Sequence, residues 1–364
     1  MNIYSPPDPT GAVQTRLLSY PAAIREALDQ ELERDPSVFV FGLDVDDHKG
    51  IQGSTLGLAE KYGPERVFAT PLSEDAMTGV AIGAALAGMR PVHVHIRMDF
   101  IMLCMNQLVN MAAKARYMWG GQASVPMVVR GMIGKSWGQG PQHSQSLYSM
   151  FMHVPGLKVV APSNAHDAKG CLIAAIRDDN PVIFVEHRLL YFTDAYVPTP
   201  SYEVPFGQAR VVASGDDVTL VGISHMVLEC LRARELLADV GISAEVIDPI
   251  SLMPLDMATI RDSVARTRRL LVVDNDWTTC GASAEILAAV AESDLMEGNP
   301  LRLRRLGYAP VTCPTTSSLE PLFYPSAVTV AQTAYRMCRP DGPAWHPAPE
   351  RAEFAHHQKF RGPF

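Results

Sequence analysis

The sequence predicts an α/β protein of two doubly wound domains, each a mainly parallel sheet flanked by helices. Three observations point there. Short apolar runs alternate with amphipathic segments along most of the 364 residues, the pattern of βαβ units. The length exceeds what one hydrophobic core usually serves. The alternation breaks once, in the stretch 191–215 (YFTDAYVPTPSYEVPFGQARVVASG), and then restarts.

The elements follow in order. Residues 1–15 are polar and Pro-rich and read as an arm. Ser19 is a natural N-cap for a helix begun by Tyr20-Pro21. Ile24, Leu28 and Leu32 give that helix its apolar stripe, and Asp35-Pro36 stops it. VFVFG (38–42) and RPVHVHI (90–96) read as buried strands. NQLVNMAAKARYMWGG (106–121) is helical and ends at a glycine pair. VPMVVRGMIG (125–134) is a strand entering a Gly-rich loop; LKVVAP, NAHDAKGCLIAAIRDD and PVIFVEH continue as strand, helix and strand. The stretch 191–215 reads as a linker. Beyond it, DVTLVGIS, SAEVIDPI and RLLVVDN are strands separated by helices, and a further helix follows Gly281. The expected domains are 16–200 and 205–338, with a Pro- and His-rich tail over 339–364, either loose or docked on a partner.

Composition narrows the function. A net charge of −8 and the lack of a basic run argue against a general nucleic-acid binder. No apolar stretch of about 18 residues is present, so no membrane span is expected. The six cysteines form no CxxC pair, and the N-terminus has no targeting character. Free thiols in a reducing, cytoplasmic setting are the expectation.

In an open α/β sheet, ligands gather at the carboxyl ends of the strands. Glu74 and Asp75 lie there, leading into the small-residue segment GVAIGAALAG. One reading is structural: Ser73 caps a helix, and the acids favour its dipole. The other takes the helix as buried. A carboxyl at its start then sits in low dielectric and can exchange a proton with a ligand's ring nitrogen. The loop RGMIGKSWGQGPQHSQS carries His143, either merely exposed or facing a ligand. GKS does not complete a phosphate loop, because Val129 stands where the first glycine belongs. His93, His95 and Arg97 share one strand face without a third metal ligand at suitable spacing. Phe100 is core or a stacking plate for a flat ligand. No GxSxG elbow is present.

Together the segments resemble the beta subunit of the thiamine-diphosphate-dependent 2-oxo acid dehydrogenases, in the transketolase-like group. KYGPERVFATPLSE (61–74), AIGAALAGMRPV (81–92), NQLVNMAAKARYMWGG (106–121), PQHSQS (141–146), LKVVAPSNAHDAKG (157–170), IRDDNPVIFVEHRLLY (176–191) and MPLDMATI (253–260) carry the resemblance, in family order. It implies a pyrimidine-binding domain followed by a transketolase C-terminal-like domain. It also implies a divided site. An alpha subunit with a Gly-Asp-Gly motif, absent here, holds the diphosphate and Mg2+, and the two chains assemble as α2β2. By the same resemblance Glu74 hydrogen-bonds the pyrimidine ring nitrogen and promotes loss of the thiazolium C2 proton. Phe100 packs on the pyrimidine, and Leu72 lines the cofactor pocket. His143 orients substrate or moves a proton. The carbonyls of Met127, Ala175, Asp178 and Asn180 match a segment that wraps a monovalent cation such as K+ in some relatives; a plain helix end is the alternative.

The chain also departs from the family. Leu43 stands where relatives carry a glutamate, Met98 where an aromatic is usual, and Arg97 where threonine is usual. Arg97 adds a positive charge suited to a substrate carboxylate or phosphate. The resemblance implies decarboxylation of a 2-oxo acid and acyl transfer to the lipoyl group of an acyltransferase partner. Alternatives are a split transketolase or carboligase with a carbonyl acceptor, and a non-catalytic assembly subunit.

Overall fold

A computed structural model describes residues 15–134, 138–296 and 300–361. The expected N-terminal arm lies outside the described residues, apart from Thr15. The chain clusters into two compact units. The first runs to Gly134 and resumes over His143–Phe206. It comprises β1 (Thr15–Ser19), α1 (Tyr20–Arg34), β2 (Val38–Gly42), α2 (Leu58–Tyr62), β3 (Val67–Ala69), α3 (Glu74–Leu86) and β4 (Arg90–His95). A 3-10 helix (Met98–Cys104) and a π-helical stretch (Asn106–Ala112) lead into α4 (Ala113–Met118). Then come β5 (Val128–Ile133), α5 (Tyr148–Met152), β6 (Lys158–Val160), α6 (Ala165–Arg177), β7 (Val182–His187) and β8 (Asp194–Pro198). The parallel strands lie in the order β6-β7-β5-β4-β2-β3.

The second unit takes Gly207–Phe360 together with the loop before His143. It holds β9 (Arg210–Ala213), β10 (Val218–Gly222), α7 (Met226–Ala238), β11 (Ala244–Asp248), β12 (Ser251–Met253), α8 (Met257–Thr267) and β13 (Arg269–Trp277). After these come α9 (Ala282–Ala291), β14 (Arg302–Tyr308), α10 (Glu320–Phe323), α11 (Ala327–Cys338) and α12 (Pro349–His357). Its sheet runs β14-β13-β10-β11-β9 and is parallel except for β9, which pairs antiparallel with β11.

Local sequence accounts for these elements. The Ser19 hydroxyl accepts from the Ala22 amide and starts α1, whose Ile24, Leu28 and Leu32 are buried as the stripe requires. Glu31 on the same helix is fully buried and takes the Arg177 guanidinium of α6 at 2.6 Å, locking the two helices together. Gly42 ends β2 at φ +149°, where a Cβ would meet the Val94 carbonyl oxygen at 2.2 Å. Gly134 ends β5 at φ +88°, against the His187 ring.

Two expectations need correction. The stretch 191–215 is not all linker: β8 pairs antiparallel with β1 over Thr15–Ser19, because its alternate residues Ala195 and Val197 have a core to enter. Through residue 361 the tail docks on its own chain. Trp345 stacks on Tyr335 at 5.1 Å, and Gln332 bonds His346 at 2.7 Å. On α12, Arg351 grips Asp239 in a fork of 2.8 and 2.9 Å, and Ala355 is buried.

The first unit encloses a polar knot. The Arg130 guanidinium of β5 forks onto Glu186 of β7 at 2.7 and 3.0 Å, and also donates to the Ser54 hydroxyl at 3.0 Å. The Tyr191 hydroxyl donates to Glu186 at 2.6 Å. Arg130 and Glu186 are each 1% exposed. Their strand positions are diagonal neighbours on one sheet face. Removing one partner of such a buried pair leaves an uncompensated charge. Arg130→Met is therefore expected to destabilise the first unit by about 3–5 kcal/mol, read as a lower urea midpoint; a loss below about 1 kcal/mol would show the pair to be dispensable.

Candidate functional site

The candidate residues lie on α3, on the 3-10 helix after β4, which packs on α3, and on the His143 loop, which meets that 3-10 helix, all within the first unit. Glu74 is the first residue of α3. Ser73 makes no side-chain cap bond, so the capping role expected of it is absent. Glu74 is half-buried, while Asp75 is exposed and accepts from the Ala76 amide at 2.8 Å.

The helix behind Glu74 differs from the buried one expected. Thr78, Ala81, Ile82 and Ala85 face inward, but Val80 is 54% and Leu86 43% exposed. Leu72, expected in a pocket wall, is 78% exposed. The small residues let one face approach the sheet closely, while Val80 and Leu86 are left exposed among the described residues. Neighbouring segments continue this character, with Leu103, Met111, Tyr117 and Met118 also exposed.

His93 and His95 point into the core rather than towards a ligand. The Phe41 ring stacks on His93 at 4.5 Å, and the two imidazoles lie 4.2 Å apart. The Thr78 hydroxyl bonds the Nδ1 of His93 at 3.3 Å. Burial pulls His93 well below the usual histidine range, assisted by the charge His95 would carry. Burial alone brings His95 to about 4, and its Nε2 has no hydrogen-bond partner among the described residues. Arg97 lies past the end of β4, not on the histidines' strand face. Its guanidinium is largely buried and donates to the Ile96 carbonyl at 2.7 Å. Among the described residues, no group of three or more His, Cys, Asp and Glu side chains could hold a metal ion.

Phe100 and His143, far apart in sequence, come together edge to face with centroids 5.3 Å apart. Arg188 donates to the His143 carbonyl at 3.2 Å. Sequence reasoning passed over two residues beside them. The Asp99 carboxylate accepts from both the backbone N–H (3.1 Å) and the side-chain amide (3.0 Å) of Gln145. Asp99 precedes the candidate aromatic, and Gln145 lies inside PQHSQS; these positions were the available signal. The 3-10 helix that carries Phe100 also packs on α3. There the Cys104 thiol is raised to about 11, chiefly by burial, with the Glu74 charge adding to it.

The cation segment is partly engaged. The Asp178 and Ile176 carbonyls accept from Arg90 at 2.9 and 3.0 Å. The Met127 carbonyl accepts from the Val182 amide at 3.0 Å. Lys158 pairs with the Asp178 carboxylate, and Arg90 also reaches Asp179 at 2.7 Å. The negative end of the α6 dipole thus meets two cations of this chain.

A parallel α/β unit whose acid, aromatic and loop histidine sit around strand ends, followed by a second α/β unit, defines the transketolase-like class. Residues 17–193 match the transketolase pyrimidine binding domain, and 207–330 match the transketolase C-terminal domain. The acetoin:2,6-dichlorophenolindophenol oxidoreductase subunit beta of Cupriavidus necator is 45% identical over 332 residues, 88% of this chain and 97% of that protein. A pyruvate dehydrogenase E1 component subunit beta of Oryza sativa is 42% identical, covering 87% of this chain and 85% of that one. Its counterpart in Rickettsia felis is 40% identical, with 87% and 97% covered. A solved structure described as a split gene transketolase, inactive beta4 tetramer, superposes with a TM-score of 0.72 at 21% identity, over 88% of this chain and 98% of that one. The last match bears on the fold alone. The chain belongs to the family of transketolase-like, thiamine-diphosphate-dependent 2-oxo acid dehydrogenase beta subunits. No helix among the described residues is long and apolar enough to cross a membrane, and all six cysteines are free.

The buried histidines carry a pH signature. Unfolded, His95 binds a proton near its ordinary 6.5; folded, it does so only near 4. The stability it contributes is complete above about pH 6.5 and is lost as pH falls towards 4, about 3 kcal/mol in all. Urea titrations between pH 7 and 4 should show this fall, and His95→Leu should flatten it; an unchanged slope in the variant would refute the assignment.

Proposed function

We propose that this chain is the beta-type subunit of a heteromeric enzyme that decarboxylates a 2-oxo acid, and that it supplies the pyrimidine half of the thiamine-diphosphate site. The observation that carries this is a half-buried Glu74 at the start of α3, a helix whose Val80 and Leu86, with Leu72 just before it, are apolar side chains left exposed among the described residues. A second polypeptide laid on these side chains would exclude water from the carboxyl. The fit with the cofactor's pyrimidine end rests on an acid and a half-exposed aromatic on packed elements, the donor and plate that a flat heterocycle needs.

When bound, thiamine diphosphate supplies a nucleophilic carbon and the electron sink that decarboxylation requires. The residues of this chain do the rest. Glu74 holds or gives up a proton at the pyrimidine ring nitrogen. Phe100 packs against the ring. His143, held edge-on to Phe100, orients substrate or transfers a proton. Arg97 offers a fixed positive charge to the substrate carboxylate. Leu72 contributes to a pocket wall that the partner completes.

The partner is an alpha-type chain with a Gly-Asp-Gly motif holding the diphosphate and Mg2+, in an α2β2 assembly. A cation such as K+ at Met127, Ala175, Asp178 and Asn180 would share the Asp178 carbonyl oxygen with Arg90. The acyl fragment passes to the lipoyl group of an acyltransferase, in a cytoplasmic setting. A second reading has support in Arg97, in Leu43 and in the acetoin-named relative: the chain handles hydroxy ketones or carbonyl acceptors, as a carboligase or split transketolase does.

The test is the enzyme reconstituted with its alpha-type partner, assayed with pyruvate, branched 2-oxo acids and acetoin as donors and lipoamide or aldehydes as acceptors. Glu74→Gln should lower turnover by about a hundred- to ten-thousandfold with assembly intact by size-exclusion chromatography. Wild-type turnover in that variant would sink the reading and leave an assembly role.

A further inference from the structure

We propose that Asp99 is a positioning residue for His143: its carboxylate pins the 143–146 segment so that the imidazole keeps its edge against Phe100. The proposal rests on the reading that His143 works at the reacting centre, and adds the residue that sets its place.

The geometry is a two-point grip from adjacent residues. Asp99 and Phe100 are consecutive in the 3-10 helix that follows β4. Asp99 holds Gln145 twice, through its backbone N–H and its side-chain amide, and one oxygen, Oδ1, accepts both bonds. Phe100 meets His143, two residues earlier on the same loop, at 5.3 Å and 72°. On its other side, the loop is held by Arg188 at the His143 carbonyl. A short segment fixed at three points has little freedom left to swing the imidazole.

The carboxylate is not there for packing. Asp99 is 8% exposed, and a buried carboxyl that gained nothing from its neighbours would be costly. Its Oδ2 is buried with no hydrogen-bond partner among the described residues. The charged and titratable groups that act on it are Arg97 and His143. Burial raises the Asp99 carboxyl, and the Gln145 bonds and the His143 charge oppose that. Asparagine at this position would keep an acceptor oxygen for Gln145 and lose only the charge; alanine would lose the grip.

The test compares Asp99→Ala and Asp99→Asn in the assembled enzyme, by two independent readouts. In hydrogen–deuterium exchange, the peptide spanning 143–147 should exchange faster in Asp99→Ala than in wild type and near wild type in Asp99→Asn, with β5 and β7 protected in all three. In turnover, Asp99→Ala should lower kcat by about a hundredfold, the cost of a misplacement near 1 Å, with KM changed less than about threefold, and Asp99→Asn should recover most of it. Unchanged exchange at 143–147 in Asp99→Ala overturns the proposal. So does a variant in which β5 and β7 lose protection together with the loop, which would make Asp99 a general structural residue. If wild type itself binds no thiamine diphosphate, the functional reading fails, and the exchange experiment still decides whether Asp99 holds the loop.

Discussion

Two charges taken out of water at the centre of the first unit set the terms for everything above them. Burying Arg130 and Glu186 costs several kcal/mol for each ion, and only close geometry repays it. The fork between them, with Ser54 and Tyr191 on its flanks, provides most of that geometry, leaving Arg130 Nη1 without a partner among the described residues. It also fixes β5 against β7 in register. The candidate site depends on those two strands: β5 ends at Gly134 and leads to the His143 loop, and β7 ends beside Arg188, which holds the His143 carbonyl. A slip between the strands would move the histidine and its anchor in opposite senses.

The second constraint is incompleteness. Glu74 begins α3, and Leu72 before it and Val80 and Leu86 on it are apolar side chains left exposed among the described residues. A carboxyl that is to trade protons with a heterocycle works best without competing water. In the proposed reading this chain provides the acid and the aromatic, and a partner the enclosure. The exposed apolar side chains are consistent with the proposed division of the site between two polypeptides, as the family membership implies an alpha-type partner.

Much of the fold was legible because its signals are local. Alternation of strand and helix, the Ser19 cap and the glycines after β5 and α4 depend on near neighbours. What stayed hidden depended on distant pairing. β8 looked like linker because its partner, β1, lies nearly two hundred residues away. The tail read as either loose or docked on a partner because its docking rests on Tyr335 of α11 and Asp239 at the end of α7. At the site, Glu74, Phe100 and His143 were singled out in sequence, and the last two do meet. The burial expected around Glu74 was not there to find: a run of small residues signals close approach on one face but does not say what covers the other. Asp99 and Gln145 were missed because an aspartate beside an aromatic has no meaning until the loop it grips is in place.

The segment beyond Cys338 alters what the second unit is. With Trp345 laid on Tyr335 and Arg351 forked onto Asp239, a trypsin-like protease would find its arginine already occupied and the surrounding backbone held. The limit read from periodicity, near residue 338, is therefore where the repeating pattern stops rather than where cooperative unfolding does. The helix after it packs on α7 and α11, and a fragment trimmed at that limit would be a damaged domain, not a minimal one.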